Sequence, residues 1–253
     1  MIQNKNISTP DIVLEIKDLN KSFGDNHVLN GFNMKLHQGE NLVIMGKSGS
    51  GKSVMIKCLV GLMEADSGLI SVMHRDITKL TQEALDILRA DIGFLFQGSA
   101  LYDSMTVREN LEFPLRRHTK KFDDDMDTEK LVIEALENVG LTNAIDLMPS
   151  ELSGGMKRRV ALARTLILKP KIILYDEPTS GLDPITSKEI IVLMQDIQKQ
   201  YGTSSLIITH DVDCARVISD RMILLIDGID YATTTFAELS THEAPKIKAF
   251  FKH

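Results

Sequence analysis

A glycine-rich segment that ends in lysine and serine contains the residues of this chain whose chemistry is easiest to predict. Residues 46–53 have the sequence GKSGSGKS, which fits the pattern G-x-x-x-x-G-K-[S/T]. An apolar run at 41–45 precedes the segment and a helix-compatible run at 54–60 follows it, which is the strand–loop–helix context that the pattern requires. Glycines let backbone N–H groups turn inward around phosphate oxygens, and the N-terminus of the following helix adds partial positive charge. We therefore expect this phosphate loop, residues 46–53, to bind a nucleotide.

Two side chains at the end of the loop have separate expected roles. Lys52 should reach the β- and γ-phosphates, and the Ser53 hydroxyl should ligate Mg²⁺. ATP and Mg²⁺ are thus the expected cofactors. The residues expected to contact the nucleotide from this part of the chain are Gly46, Lys47, Ser48, Gly49, Ser50, Gly51, Lys52, Ser53 and Val54.

Two further apolar runs each end in groups that suit phosphate chemistry. Residues 172–175 are apolar and lead into Asp176 and Glu177, at the strand end where open α/β sheets bind their ligands. We expect Asp176 to hold Mg²⁺, directly or from outside its first coordination sphere, and Glu177 to position and polarise the attacking water. A second run at 206–209 places His210 at the same edge, where it can donate a hydrogen bond to a γ-phosphate oxygen and link it to Glu177.

The segment Leu-Ser-Gly-Gly at 152–155 predicts a second anion site. Ser153 is a natural N-cap, and Gly154 and Gly155 leave the first N–H groups of the following helix uncovered. This segment is far from the phosphate loop in sequence, and one chain needs only one triphosphate site. The economical arrangement is a head-to-tail homodimer in which Ser153 of each chain faces the nucleotide on the other chain.

Composition restricts the class of protein. The chain has 253 residues, of which 43% are apolar and 25% charged, which is ample for one large core. No apolar stretch approaches the ~18–20 residues that span a bilayer, and residues 1–11 are polar, so we expect a soluble protein on the cytoplasmic side. Net charge −6 argues against nucleic acid as the main partner and does not exclude docking onto a membrane-embedded subunit.

Strand and helix patterns define the organisation. Strand–helix alternation occupies both ends of the chain, whereas the pattern from 106 to about 155 is helical, so we expect one α/β domain with a helical insertion. The predicted domain spans 12–245, with the α/β core at 12–96 and 165–245, the helical part at about 98–164, and a tail at 246–253. The acidic run at 123–125 and Asp127 could suggest a cation site; a solvated loop before a helix starting near Thr128 is the favoured interpretation.

These residues together resemble the ATP-binding cassette (ABC) superfamily over residues about 12 to 240. The resemblance implies a P-loop NTPase fold of the ABC ATPase type, with a mostly parallel sheet, an antiparallel N-terminal β subdomain and a helical insertion. It implies four catalytic residues, Lys52, Gln97, Glu177 and His210, with Gln97 contacting both Mg²⁺ and a transmembrane subunit. It also implies that 153–156 is the signature motif, that 180–183 is the D-loop, and that Phe23 stacks on adenine.

Within that superfamily, Met156 replaces the commoner glutamine, Gly181 replaces alanine and Phe23 replaces tyrosine. The segments 96–107, 113–116, 148–156 and 183–186 look like those of the ATPases of the Mla (maintenance of lipid asymmetry) systems, which move phospholipids between the membranes of a Gram-negative envelope. That resemblance implies an ATPase peripheral to the inner membrane, with a permease and a membrane-anchored lipid-binding protein as partners. The alternative is the ATPase of an importer for amino acids or another small solute.

Overall fold

The computed structural model describes residues 11–118, 121 and 127–251. The helices and strands follow in chain order: β1 (Ile12–Phe23), β2 (Asn26–His37), β3 (Asn41–Met45), α1 (Lys52–Leu59), β4 (Ser67–Val72), β5 (Arg75–Asp76), α2 (Gln82–Arg89), β6 (Ile92–Leu95), α3 (Val107–Arg117), α4 (Thr128–Glu137), α5 (Gly154–Leu166), β7 (Ile172–Asp176), α6 (Pro184–Tyr201), β8 (Ser204–Ile208), α7 (Val212–Ile218), β9 (Arg221–Ile226), β10 (Ile229–Thr234), α8 (Phe236–Ser240) and α9 (Pro245–Phe251).

A six-stranded sheet with the order β10-β9-β3-β8-β7-β6 forms the centre of the molecule. Its strands are parallel except for β10, which pairs antiparallel with β9. Every residue of β3 and β8 is buried, as expected for strands covered on both faces. The predicted mostly parallel sheet is confirmed, and the carboxyl ends of β3, β7 and β8 meet at one edge.

The N-terminal part of the chain forms a second, antiparallel sheet with the order β2-β1-β4-β5. Alternation in the sequence predicts strands at 13–16 and 32–36 and a short strand at 68–72, which matches β4, whereas β1 and β2 each have 12 residues. Register shifts between β1 and its neighbours interrupt the alternation of buried and exposed side chains, which hides the full length of the strand. One such shift follows Ile16, next to Asp18 with φ 47°.

The central helices α3, α4 and α5 form the helical insertion. Thr106 and Glu109 make a reciprocal capping box at the start of α3, and Asp127 caps α4 at the predicted position. These helices bury one continuous apolar cluster with the sheet. Helix α5 runs through the predicted boundary between helical part and core at 164–165, and the acidic run at 123–125 lies outside the described residues.

The C-terminal elements β10, α8 and α9 had no equivalent in the sequence-based prediction. Residues 246–251 of the predicted tail belong to α9, in which Ile247 is 2% exposed. The Phe236 and Phe251 rings pack edge to face with centroids 5.5 Å apart, which joins α8 to α9. Both rings also pack against the apolar cluster of the six-stranded sheet. The last two residues of the predicted tail lie outside the described residues.

Candidate nucleotide-binding and catalytic site

The phosphate loop connects β3 to α1 at the carboxyl edge of the six-stranded sheet. Gly51, the N-cap of α1, has φ 101°, and a Cβ there would lie 2.9 Å from the carbonyl oxygen of Val28. A Cβ at Gly46 would lie 2.8 Å from the Leu225 carbonyl oxygen. Both positions therefore require glycine. At Gly51 the reasons are the positive φ and the close packing, whereas at Gly46 the reason is the close packing alone.

Lys52 is buried at the base of this loop. Its Nζ donates hydrogen bonds to the carbonyl oxygens of Gly46 at 2.6 Å and Lys47 at 3.0 Å. Burial lowers the pKa of Lys52, and the negative charges of Glu177 and Asp176 oppose that shift. The ammonium group thus lies in a low-dielectric position that attracts an anion strongly.

The two predicted carboxylates occupy the end of β7 and the residue after it. Burial, and then the neighbouring charge of Glu177, raises the pKa of Asp176, whereas the charge of Lys52 lowers it. Glu177 has φ 50°, which is rare for a residue with a side chain and costs on the order of 1–3 kcal/mol. Its backbone N–H donates to the Ile208 carbonyl oxygen at 2.8 Å, which ties this strained residue to β8.

One oxygen of Glu177 collects three contacts from the segment after β8. His210 Nδ1 lies 2.8 Å from Glu177 Oε2, and the His210 backbone N–H donates to the same oxygen at 3.3 Å. The hydroxyl of Thr209, which is fully buried, donates to it at 3.4 Å and accepts from the Asp211 backbone N–H at 3.0 Å. His210 thus contacts Glu177, and Thr209 adds a contact to the same oxygen that the sequence did not indicate.

These groups surround one cavity of about 530 Å³. Its lining includes Gln97, whose Nε2 donates to the Ser180 hydroxyl at 3.2 Å and whose Oε1 is available as an acceptor. The complete lining is Val28, Ser48, Gly49, Gly51, Lys52, Ser53, Val54, Gln97, Asp176, Glu177 and His210. The structure therefore brings the predicted catalytic and metal-binding residues of one chain to one place.

Phe23 lies apart from this cavity. It is 49% exposed at the β1–β2 turn, with Lys21 Nζ 5.5 Å from the ring centroid. A second cavity of about 380 Å³ is lined by residues 26–28 at the start of β2, by the phosphate loop, by residues 225–228 and by α9. An exposed ring at this turn can stack on a flat ligand.

The predicted second anion site also lies apart from the cavity. Ser153 caps α5, accepting a hydrogen bond from the Met156 backbone N–H at 3.2 Å. Ser153 and Gly154 are exposed, and neither they nor Gly155 line the cavity that contains Lys52. A Cβ at Gly155 would lie 2.7 Å from the Thr186 Cγ2 methyl group, so the start of α5 packs tightly against the start of α6.

The segment after Gln97 is locked into an irregular loop. Ser99 and Ala100 have φ values of 62° and 49°, and Arg164 donates to both of their carbonyl oxygens at 3.1 and 2.8 Å. Asn110, fully buried, accepts from the Tyr102 backbone N–H at 2.8 Å and donates to the Tyr102 carbonyl oxygen at 3.1 Å. The Tyr102 side chain is thereby presented at the surface, 43% exposed and packed on the Phe113 ring.

The described part of the chain has neither a helix suited to span a membrane nor a cluster of metal-ligating side chains. No helix there combines the length and the apolar character needed to cross a membrane. Residues 11–118, 121 and 127–251 also contain no group of three or more His, Cys, Asp and Glu side chains arranged to hold a metal ion.

The chain is similar to known ATP-binding proteins. The family model described as "ABC transporter" matches residues 29–180. The "Probable ribonucleotide transport ATP-binding protein mkl" of Mycobacterium leprae is 41% identical over 85% of this chain and 61% of its own length. The "Methionine import ATP-binding protein MetN" of Clostridium tetani is 41% identical over 85% of this chain and 67% of its own length. The chain thus spans about three fifths to two thirds of these curated relatives.

A solved structure gives the same result for the fold. It is described as the "dimeric structure of a post-hydrolysis state of the ATP-binding cassette MJ0796 bound to ADP and Pi". It is 32% identical to this chain with a TM-score of 0.79, covering 88% of this chain and 98% of its own.

Proposed function

This chain belongs to the ABC transporter family and is an ATPase of that family, and from this premise we propose that it couples ATP hydrolysis to phospholipid transport across a bacterial envelope. The observation that supports this role is the division of the site between a cavity and a separate, exposed Ser153 element. Lys52, Glu177 and His210 surround one cavity, whereas the Ser153 element lies outside it on an exposed helix end. Such a site becomes complete only when a second chain supplies its Ser153 element.

The roles of the catalytic residues follow from their contacts. Lys52 stabilises the negative charge that the β- and γ-phosphates carry in the transition state. Glu177, fixed by Thr209 and His210, orients and polarises the attacking water, and His210 donates to a γ-phosphate oxygen. Because the left-handed conformation of Glu177 is held by its hydrogen bond to β8, its carboxylate is placed before the substrate binds.

The residues present suit Mg²⁺. Ser53 offers a hydroxyl, Gln97 an amide oxygen and Asp176 a carboxylate, and Mg²⁺ prefers oxygen ligands from one or two carboxylates together with substrate phosphates. When bound, the ion would supply positive charge that offsets the negative charge of the nucleotide's phosphates.

Two chains are proposed to pair head to tail. In that arrangement the N-terminus of α5 in one chain, with Ser153, Gly154 and Gly155, faces the γ-phosphate held by the other chain's phosphate loop. The exposure of Ser153 and Gly154 supports this arrangement, since a helix N-terminus with uncovered N–H groups needs an anion or water.

Phospholipid is the proposed cargo because of sequence features near the site. Met156 in the signature motif, and the segments 96–107 and 148–156, resemble the ATPases of lipid asymmetry systems. The second candidate function is amino acid import, which the name of the Clostridium tetani relative favours. The cargo itself is selected by the permease, so genes beside this one that encode a permease and a membrane-anchored lipid-binding protein would support the lipid proposal.

The proposed docking surface for the permease is the loop from Gln97 to Tyr102 beside the helical insertion. It would hold the ATPase at the cytoplasmic face of the inner membrane. An aromatic anchor on a locked backbone suits an interface, because little conformational entropy is lost when it becomes buried. This docking role of Tyr102 is testable by capture of the ATPase on its permease in detergent.

Tyr102→Ala should reduce this capture at least ~10-fold while the isolated ATPase remains folded. Tyr231→Ala is the matched control, since Tyr231 is comparably exposed, at 40%, on β10. Capture of Tyr102→Ala at the level of the control would remove the loop from the proposed interface.

The function is tested by reconstitution with the permease in liposomes that contain labelled phospholipid. Ser153→Arg places bulk and positive charge where the α5 N-terminus must meet the γ-phosphate. We expect near-normal nucleotide binding by each chain, little ATPase activity and no lipid movement, whereas Ser240→Arg on the exposed face of α8 should behave as wild type. If the wild-type complex hydrolyses ATP and moves an amino acid but no phospholipid, the lipid proposal is wrong and the family assignment stands.

A further inference from the structure

Arg158 is a buried arginine without an acidic partner among the described residues. It lies on α5, is 3% exposed, and its pKa is lowered by burial alone. A buried guanidinium that lacks a carboxylate is energetically unfavourable unless hydrogen bonds satisfy it. Its hydrogen bonds therefore indicate why the chain places an arginine here.

The guanidinium joins two loops of the catalytic site. Nη1 donates to the Phe96 carbonyl oxygen at 2.8 Å, and Nη2 donates to the Ser180 carbonyl oxygen at 3.3 Å. Phe96 immediately precedes Gln97, and the Ser180 hydroxyl accepts the hydrogen bond from Gln97 Nε2. One planar fork thus contacts the backbone on both sides of the Gln97–Ser180 contact, with a separate nitrogen for each carbonyl oxygen in a fixed geometry.

The same helix carries the Ser153 element. Arg158 follows Ser153 by five residues, a little more than one helical turn, so the two move together when α5 moves. The contact of Gly155 with Thr186 adds a second attachment between the start of α5 and the segment that begins at Ser180. These contacts join α5, Gln97 and residues 180–186, so we expect the three segments to move together.

We propose that Arg158 is a positioning residue that couples the two ATP sites of the dimer. This rests on the proposed head-to-tail pairing, in which Ser153 faces the partner's nucleotide and Gln97 faces the nucleotide of its own chain. Because Arg158 ties both to one helix, closure of α5 onto the partner's ATP also sets Gln97 and Ser180 in its own site. ATP hydrolysis by the wild-type protein is then cooperative, and the cooperativity depends on the fork of Arg158.

Two substitutions separate the fork from the charge. Arg158→Met keeps much of the length and apolar volume without any donor, and Arg158→Lys keeps the charge but offers a single nitrogen. Arg116→Met is the control, because Arg116 is exposed and its one ion-pair partner among the described residues is Glu112, one turn away. The measurements are kcat, KM, the Hill coefficient for ATP, nucleotide binding by the monomer, and the melting temperature.

We expect both Arg158 variants to bind nucleotide as monomers within about twofold of wild type, with kcat reduced roughly tenfold and Hill coefficients near 1. The Arg116→Met control keeps the wild-type kcat and Hill coefficient. A merely structural role predicts a lower melting temperature with unchanged kcat and Hill coefficient per folded molecule, and that result would overturn the proposal.

If Arg158→Met does not fold, the test uses Arg158→Lys instead. The loss of kcat caused by Arg158→Lys is measured once in the wild-type protein and once in the Gln97→Ala variant. An arginine that acts through Gln97 loses most of its effect on kcat once Gln97 is absent, whereas additive losses contradict the proposal. Failure of the pairing itself is distinguishable. If Glu177→Gln protein stays monomeric with ATP, the proposed function fails; if it dimerises and Arg158 variants keep wild-type cooperativity, only this inference fails.

Discussion

The two ends of the six-stranded sheet are built from similar polar residues but differ in how those residues are satisfied. At the amino end, Glu40 accepts hydrogen bonds from Arg221 Nε at 2.7 Å and Nη2 at 3.1 Å, and from the His37 backbone N–H at 2.8 Å. At the carboxyl end, Lys52 is buried and Asp176 half-buried, both with pKa values shifted toward their neutral forms, and Glu177 is held in a strained conformation.

Other polar groups extend the contrast. Asn41 at the amino end donates through its backbone N–H to Asp220 at 2.8 Å and through its side chain to Gln198 at 2.9 Å. His210 at the carboxyl end is exposed, although its ring contacts Glu177. The polar groups at the amino end therefore stabilise the sheet. Those at the carboxyl end lower the stability of the fold, because they are placed for a ligand. Substitutions at the two ends should separate activity from stability.

The largest effect on activity is expected for Lys52→Ala. Loss of the buried ammonium should reduce ATPase activity by at least ~10²- to 10³-fold and weaken ATP binding. The free energy of unfolding should fall by less than about 1 kcal/mol, because burial of the charge already opposes folding. Steady-state hydrolysis and urea unfolding of the same preparation measure both quantities, and a large stability loss with retained activity would reverse the roles of the two ends.

Thr209→Val tests the support of Glu177 from β8. Valine keeps the volume of threonine and removes the hydroxyl that donates to Glu177 and accepts from the Asp211 N–H. The expected loss in kcat is about 3- to 10-fold, because the net free energy of one hydrogen bond corresponds to a rate factor of about that size. Nucleotide affinity should change little. An unchanged kcat would show that His210 alone suffices to position Glu177.

Gly155→Ala tests the close contact between α5 and α6. The added Cβ would lie 2.7 Å from the Thr186 methyl group, which is overpacking that costs about 1–3 kcal/mol of unfolding free energy. Adding Thr186→Ser removes that methyl and keeps the hydroxyl, so the double variant should recover stability. At Gly154 a Cβ would have 3.7 Å to Leu182, and Gly154→Ala should therefore melt near wild type. Equal melting temperatures for Gly154→Ala and Gly155→Ala would contradict the packing argument.

Glu40→Gln is expected to change stability without changing catalysis. Burial raises the pKa of Glu40, but hydrogen bonds from Arg221 and His37 outweigh it and lower the pKa overall. The carboxylate therefore contributes stability above its unfolded pKa of about 4.3, and this is lost as pH falls through the lower folded value.

We expect Glu40→Gln to lose roughly 1.5–3 kcal/mol of unfolding free energy at pH 7, with the difference from wild type shrinking below about pH 4. Urea unfolding at pH 7 and pH 3.5 measures this, alongside kcat at 25 °C. A pH-independent loss, or a reduced kcat per folded molecule, would remove the distinction between the two ends of the sheet.

The carboxyl end was largely predictable from the sequence. The parallel strands are continuous apolar runs, and each of these runs ends in the residues expected at the site, so the sequence indicated that Lys52, Asp176 and His210 lie at one edge of the sheet. The long β1 strand was underestimated because its register shifts break the alternating pattern. The C-terminal helices were missed because α8 and α9 have only five and seven residues and depend on packing against the sheet.

Side-chain networks were not predictable in the same way. Nothing in the sequence around Thr209 or Arg158 indicates that these side chains reach residues more than twenty positions away. The left-handed conformation of Glu177 also has no local signal, since glutamate rarely adopts it and tertiary contacts impose it here.

The solution mass of Glu177→Gln protein with Mg²⁺ and ATP tests most directly whether the site is completed by a second chain. The variant keeps the residues proposed to bind ATP but lacks the carboxylate proposed to activate water, so we expect that the closed dimer cannot reopen through hydrolysis. We predict roughly twice the 28.2 kDa monomer mass with ATP, the monomer mass with ADP, and the monomer mass with ATP once Ser153→Arg is added. A Glu177→Gln protein that binds ATP and remains monomeric at micromolar concentration would contradict the proposed pairing.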